Sequence, residues 1–242
     1  MCNLTINELH NRDLDKCYFL IMCFKSNINL MKGDEICKKE VYIFYGCNLL
    51  GVRKFLDICI ADDFSKPSDW YNFFLKLKNR NVESILFANI PNNKMLKDAL
   101  MLTFKNINVF ISCFEPIDTI FKYFNARYDT NVFSIIKNIY LSDSIDDYYS
   151  SISLFKQEFS NSPFLIDILE KDLISIKNYY SFDILLRKHI FSFYFYRDNR
   201  KKLFSSTHSK PFFNNLDELL HLLLPFINTM ESRCYCSKKE WI

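Results

Sequence analysis

The chain has 242 residues, 49% of them apolar, 17% aromatic and 24% charged, with a net charge of +3 at neutral pH. That apolar content excludes an intrinsically disordered polypeptide and suffices for a real core. The small net charge gives no argument for a nucleic-acid partner by itself.

In chain order, residues 1–16 read as a short polar lead-in without a secretory leader. Tyr18 to Phe24 is a continuous apolar run, the pattern of a strand buried on both faces, and a first strand is expected near 18–25. Lys32-Gly33-Asp34 supplies a turn. A second strand is expected at 40–48, and a third at 53–60, where apolar and polar residues alternate. Short links between these three favour an antiparallel meander. Trp70, Phe73, Phe74 and Leu77 then fall at i, i+3, i+4 and i+7, which predicts a helix burying that face and exposing Lys76 and Lys78. Strands near 84–89 and 107–112, joined by a helix through Met95 to Phe104, form a βαβ unit parallel to the first strand.

Beyond Pro116 the period is helical: 117–125, 130–140, 145–159, 163–179 and 182–194, with Asp143 capping the third of these and Ser162 the fourth. A basic, turn-rich stretch holds Arg197, Arg200, Lys201 and Lys202. A last helix over 216–227 is expected to kink or end near Pro225. Three antiparallel strands followed by two parallel additions is the logic of an α/β, ribonuclease H-like, five-stranded mixed sheet. The expected layout is a core of 17–128 and 203–230, an inserted all-α block over 129–202, and a tail over 231–242.

The chemistry such a sheet supports is two-metal phosphoryl transfer, which needs converging carboxylates. The first strand, Tyr18 to Phe24, carries no acid, and the fourth ends Phe87-Ala88-Asn89-Ile90-Pro91, again without one. Asp217 and Glu218 open the last helix, where acids ordinarily serve the helix dipole. His10, His189, His208 and His221 are scattered, and no glycine-rich phosphate loop or nucleophile elbow is present. Of the nine cysteines, most sit in apolar runs and read as buried free thiols of a reducing compartment. Cys234-Tyr235-Cys236 lacks a second ligand pair at zinc spacing, so no metal site is assigned. No apolar run approaches the roughly twenty residues of a membrane span. A cytoplasmic protein with no membrane partner is expected. Lys78 and Arg80, with Arg200, Lys201 and Lys202, are the candidate DNA contacts.

The order of motifs is familiar. From about Tyr18 to Phe226 the chain resembles the mutator-type bacterial insertion-sequence transposases, a family of DDE transposases. Glu40-Val41-Tyr42-Ile43-Phe44-Tyr45-Gly46 is like that family's second strand. Trp70 to Val82 is similar to its "W-x-x-x-L-x-x-L-K-x-R-G" helix end, and Cys113 stands where it has the Cys of C-x-x-H. Ile136-Lys137-Asn138-Ile139-Tyr140 echoes Leu-Lys-x-Ile-Tyr, and Arg200 to Thr207 resembles "R-K-x-I-Y-T-T-N".

The resemblance implies a ribonuclease H-like core, DNA transposition and a Mg²⁺ cofactor. By spacing, however, the positions of the three family acids fall on Leu20, near Pro91 and near Lys210, and the His of C-x-x-H on Pro116. The family's helical DNA-binding region is expected to be missing. The reading is thus a truncated, catalytically inactive transposase remnant with no catalytic residues, no metal and no cofactor, with weak DNA binding and homo-oligomers as the partners it would have. Two alternatives are a non-catalytic nucleic-acid or protein binding module on the same core, and an active enzyme whose acids have moved to Asp57, Asp62 and Glu218.

Overall fold

A computed structural model of the chain describes residues 6–60, 64, 66–112, 135, 138–139, 142–167, 179–190, 202–203 and 205–232. The chain forms two compact units, Met1–Val109 with Ser192–Ile242, and Phe110–Phe191.

The chain contains a five-stranded mixed sheet, four strands of which lie wholly in the first unit. Its strands are β1 (Cys17–Lys32), β2 (Glu35–Asn48), β3 (Arg53–Ile60), β4 (Ser84–Ile90) and β5 (Asn108–Ile111), in the order β3-β2-β1-β4-β5. β1 with β2 and β2 with β3 are antiparallel, while β1 with β4 is parallel. A two-residue connection joins β1 to β2, with Lys32 opposite Glu35 and Gly33 at φ +65°, a backbone state glycine adopts without a Cβ clash. The second connection is folded around Asn48, whose side-chain oxygen accepts from the backbone N–H groups of Leu50 and Val52 at 2.9 Å each.

The third strand falls where the alternation places it, but β1 and β2 run further than the apolar runs suggest. β4 pairs with β1 only as far as Met22, and β3 with β2 only from Val41. Beyond those points the hairpin continues as a two-stranded ribbon. Its residues Asn27, Asn29 and Lys38 are exposed while Ile28 is buried, so no unbroken hydrophobic run marks it.

Both faces of the sheet are covered. Helix α1 (Ile6–Asn11) lies in the expected polar lead-in and buries Leu9. Helix α2 (Pro67–Asn79) starts with proline in its first turn, and the Asp69 carboxylate accepts from the Lys66 N–H at 2.9 Å. It buries Trp70, Phe73, Phe74 and Leu77 and exposes Lys76 and Lys78, as the spacing predicts. On that face the Phe44 ring stands 4.9 Å from Phe73, and Tyr42 stands 5.1 Å from Trp70. Helix α3 (Lys94–Thr103), capped by the Asn93 side chain accepting from Leu96 N–H at 3.1 Å, packs beside α2.

The opposite face is met by the last helix of the first unit, Leu216–Ser232, through Tyr45 and Phe226 with ring centres 6.2 Å apart. This helix does not stop at Pro225 but continues two further turns. Pro225 is on the exposed side, so the hydrogen bond it cannot donate is lost toward water. Phe226, Ile227 and Met230 keep the buried side intact.

The described part of the second unit contains α4 (Ile145–Glu158) and α5 (Ile184–Ile190), so the Leu216–Ser232 helix is α6. The cap of α4 is Ser144, not Asp143: the Ser144 hydroxyl accepts from Asp147 N–H at 3.1 Å. Asp143 is held instead by its carbonyl, which accepts from Arg187 at 2.6 Å. Residues 163–167 are helical as expected. The helix expected at 117–125 lies outside the described residues, as does all of 130–140 except three positions.

Candidate functional site

β4 ends against the middle of β1, which runs on to Lys32, and the residues at that last shared rung bear on what chemistry the sheet can support. Of the three expected positions, Leu20 is a buried β1 residue paired with Phe87. Pro91 lies just past the end of β4. Four residues separate Phe87 from Pro91, about 13 Å of strand at ~3.3 Å per residue. Leu20 and Pro91 are therefore not brought together. Lys210 is exposed and forms an ion pair with Glu218.

The register instead places Met22 opposite Asn89 at the last rung of the ladder. Tyr45 stands opposite Met22 on the other side, so Tyr45, Met22 and Asn89 form a row on the α6 face. Asn89 is 3% exposed, and neither its amide nitrogen nor its amide oxygen has a hydrogen-bond partner among the described residues. A buried carboxamide without partners is rare and calls for an explanation. The Tyr45 hydroxyl is likewise without a partner among the described residues, and burial pushes its pKa well above the usual tyrosine value. In the sequence Asn89 is the single polar side chain inside the apolar run Ile85 to Ile90.

Divalent Mg²⁺ demands several hard oxygen ligands. At this spot Leu20, Met22 and Phe87 offer hydrocarbon and thioether, and Asn89 offers one neutral oxygen. The donor set does not fit such an ion. Among the described residues no three His, Cys, Asp or Glu side chains gather as a metal would require.

The acids weighed as relocated ligands are each engaged elsewhere or outside the described residues. Asp57 on β3 is 3.0 Å from His10 Nδ1 and 3.4 Å from the Arg80 guanidinium, and one of its oxygens accepts from Ile58 N–H. The hydrogen bond to Asp57 raises the His10 pKa above its ordinary value. Glu218 accepts from Asn214 N–H at 2.7 Å and from Lys210, which hold its pKa below the ordinary carboxylate range. Glu218 N–H donates to the Asn215 side-chain oxygen at 2.8 Å, so Asn215 caps α6 and Glu218 belongs to its first turn. Asp62 lies outside the described residues.

The basic candidates separate in the same way. Lys78 is exposed, its ammonium 5.6 Å from the Phe104 ring centre, and Lys202 is exposed. Arg200 and Lys201 lie outside the described residues, as do Arg197, Cys113 and Pro116. Arg80 turns inward. It is 9% exposed and donates to the carbonyls of Leu9 and Leu56 at 2.7 Å each and of Arg12 at 3.1 Å. Its fork ties α1, the end of α2 and β3 together and is not presented to a phosphate.

A strap from Thr207 to Phe213 lies along the part of β1 that β4 does not reach. Thr207 Oγ1 is 2.9 Å from Ser26 Oγ, Asn29 donates to Pro211 O at 2.8 Å, and Phe213 exchanges backbone bonds with Asn29 and Met31.

The family model described as "Transposase, Mutator family" matches residues 2–232. The chain is also similar to a probable transposase for an insertion sequence element from Corynebacterium diphtheriae, with 23% identity over 146 residues. That stretch spans 60% of this chain and 42% of the relative.

Proposed function

The chain belongs to the Mutator family of transposases, and from that premise we propose that it is a transposition-related protein whose ribonuclease H-like core carries out no phosphoryl transfer. The sheet order, with its parallel β1/β4 pair flanked by an antiparallel hairpin, supports the ribonuclease H-like reading. One observation carries the loss of chemistry. At the last rung that β4 shares with β1, Met22 faces Asn89, and two-metal catalysis there would require anionic oxygens. The direct test incubates the full chain with duplexes bearing transposon-like ends in Mg²⁺ or Mn²⁺. No nicking and no strand transfer are expected. Metal-dependent cleavage abolished by Asp57→Asn or Glu218→Gln would establish the relocated-acid reading instead.

A second reading, a non-catalytic DNA-binding module, is favoured by the outward lysines of α2, Lys76 and Lys78. It calls for weak DNA retention that falls steeply with salt. Replacing both lysines by alanine should lower the slope of log K against log salt by about 2 if each meets one phosphate. A slope unchanged in that variant removes α2 from the interface.

A further inference from the structure

The row formed by Met22 and Asn89 has the geometry of a two-carboxylate cation site but not its chemistry. The two residues are rung partners on adjacent parallel strands. Their Cα atoms are therefore about 4.8 Å apart, with side chains on one face. Two carboxylates at such positions can reach a common ion at the short oxygen distances that Mg²⁺ or Mn²⁺ requires. Asn89 supplies the second observation. Its carboxamide has the shape of an aspartate side chain and is buried with both polar atoms unpartnered among the described residues, so no hydrogen bond among those residues accounts for a polar residue there.

We infer that Met22 and Asn89, and not Leu20 and Pro91, are the positions at which this sheet is shaped to hold a divalent cation, and that only their side-chain chemistry withholds it. The inference rests on the proposed loss of phosphoryl transfer, and it deepens that reading by naming the two substitutions responsible. Leu20 cannot contribute with Pro91, because its rung partner is Phe87 and Pro91 lies beyond the strand. Lys210 brings no ligand either, since its ammonium is paired with Glu218.

The test titrates Mn²⁺ alone into the full chain and follows the free ion by electron paramagnetic resonance. Four proteins are compared: wild type, Asn89→Asp, Met22→Asp with Asn89→Asp, and Leu20→Asp with Pro91→Asp. The 22/89 pair should bind one Mn²⁺ saturably and at least ten times more tightly than wild type, with Asn89→Asp intermediate and the 20/91 pair no better than wild type. Equal or tighter binding by the 20/91 pair, or no gain in the 22/89 pair, overturns the inference. Tight binding by wild type itself would instead overturn the proposed loss of chemistry, so the two failures are distinguishable. Should paired buried carboxylates prevent folding, Asn89→Leu decides. Removing an unpartnered amide sacrifices no bond, so this variant should melt about 2–4 °C above wild type. A lower melting point would show that the amide has a partner in solution, and that outcome also overturns the inference.

Discussion

The ring of Tyr18 lies flat over Gly46, so close that a Cβ on residue 46 would stand 2.4 Å from both Cδ1 and Cε1 of the tyrosine. Tyr18 is fully buried on β1, and the same Cβ would stand 3.1 Å from Leu56 Cδ2. The glycine of the second strand is thus a packing requirement of the β1/β2 pair. Gly46→Ala should destabilise the fold by about 1–3 kcal/mol through overpacking. The companion Tyr18→Leu should restore part of that loss in the double variant. Urea denaturation of the two single variants and the double one gives the coupling, and strictly additive effects would contradict the contact.

Trp70 is the largest side chain closing the α2 face, 1% exposed and set against Tyr42. Trp70→Ala should lower stability by about 3–5 kcal/mol. Because the indole N–H has no hydrogen-bond partner among the described residues, Trp70→Phe should lose much less, chiefly the volume difference. A phenylalanine variant as unstable as the alanine one would mean that the N–H is bonded in solution.

His10 connects stability to pH. Its Nδ1 faces Asp57, with Arg80 and Asp217 as the other charges acting on it, and the Asp57 hydrogen bond raises its folded pKa above 6.5. A raised histidine contributes stability that is fully present below the unfolded value near 6.5 and is lost as pH rises through the folded value. Wild type should therefore lose stability between pH 6 and the region above the raised pKa, and His10→Asn should flatten that slope. Parallel pH profiles for the two proteins would dismiss the His10–Asp57 link.

How much of this was readable in the sequence depended on whether burial was continuous. The α2 stripe and the third strand carry periods of 3.6 and 2 because each buries one clean face, and both are legible from Trp70 to Leu77 and from Arg53 to Ile60. The outer hairpin was illegible, because cross-strand hydrogen bonds hold it and only Ile28 is fully buried there. Arg80 read as a surface cation since it ends a basic helix turn. Its inward course depends on the carbonyls of Leu9, Arg12 and Leu56, which sequence distance conceals. The site suffered most. The fourth strand falls where its apolar run places it, but spacing along the chain does not reveal that Leu20 pairs with Phe87 and Met22 with Asn89 across the sheet.

The sheet edge yields the last prediction. β3 is an outer strand, and its unpaired backbone groups would ordinarily invite another strand. At Phe55 two side chains occupy them. Glu231, from the end of α6, accepts from Phe55 N–H at 2.8 Å, while Arg12 donates to Phe55 O at 2.8 Å and closes on Glu231 itself. The pair thus imitates one rung of a neighbouring strand. Both side chains are 16% exposed, so the bonds are partly shielded from water and salt. Glu231→Ala strips the N–H and leaves Arg12 without its carboxylate, which should destabilise the fold by about 1–3 kcal/mol. It should also shift the chain toward larger species than wild type in sedimentation velocity, as the bared edge finds other strands. Glu231→Gln keeps an acceptor oxygen in place and should retain most of the wild-type behaviour. If Glu231→Ala sediments and unfolds like wild type, the Arg12–Glu231 pair does not guard the edge.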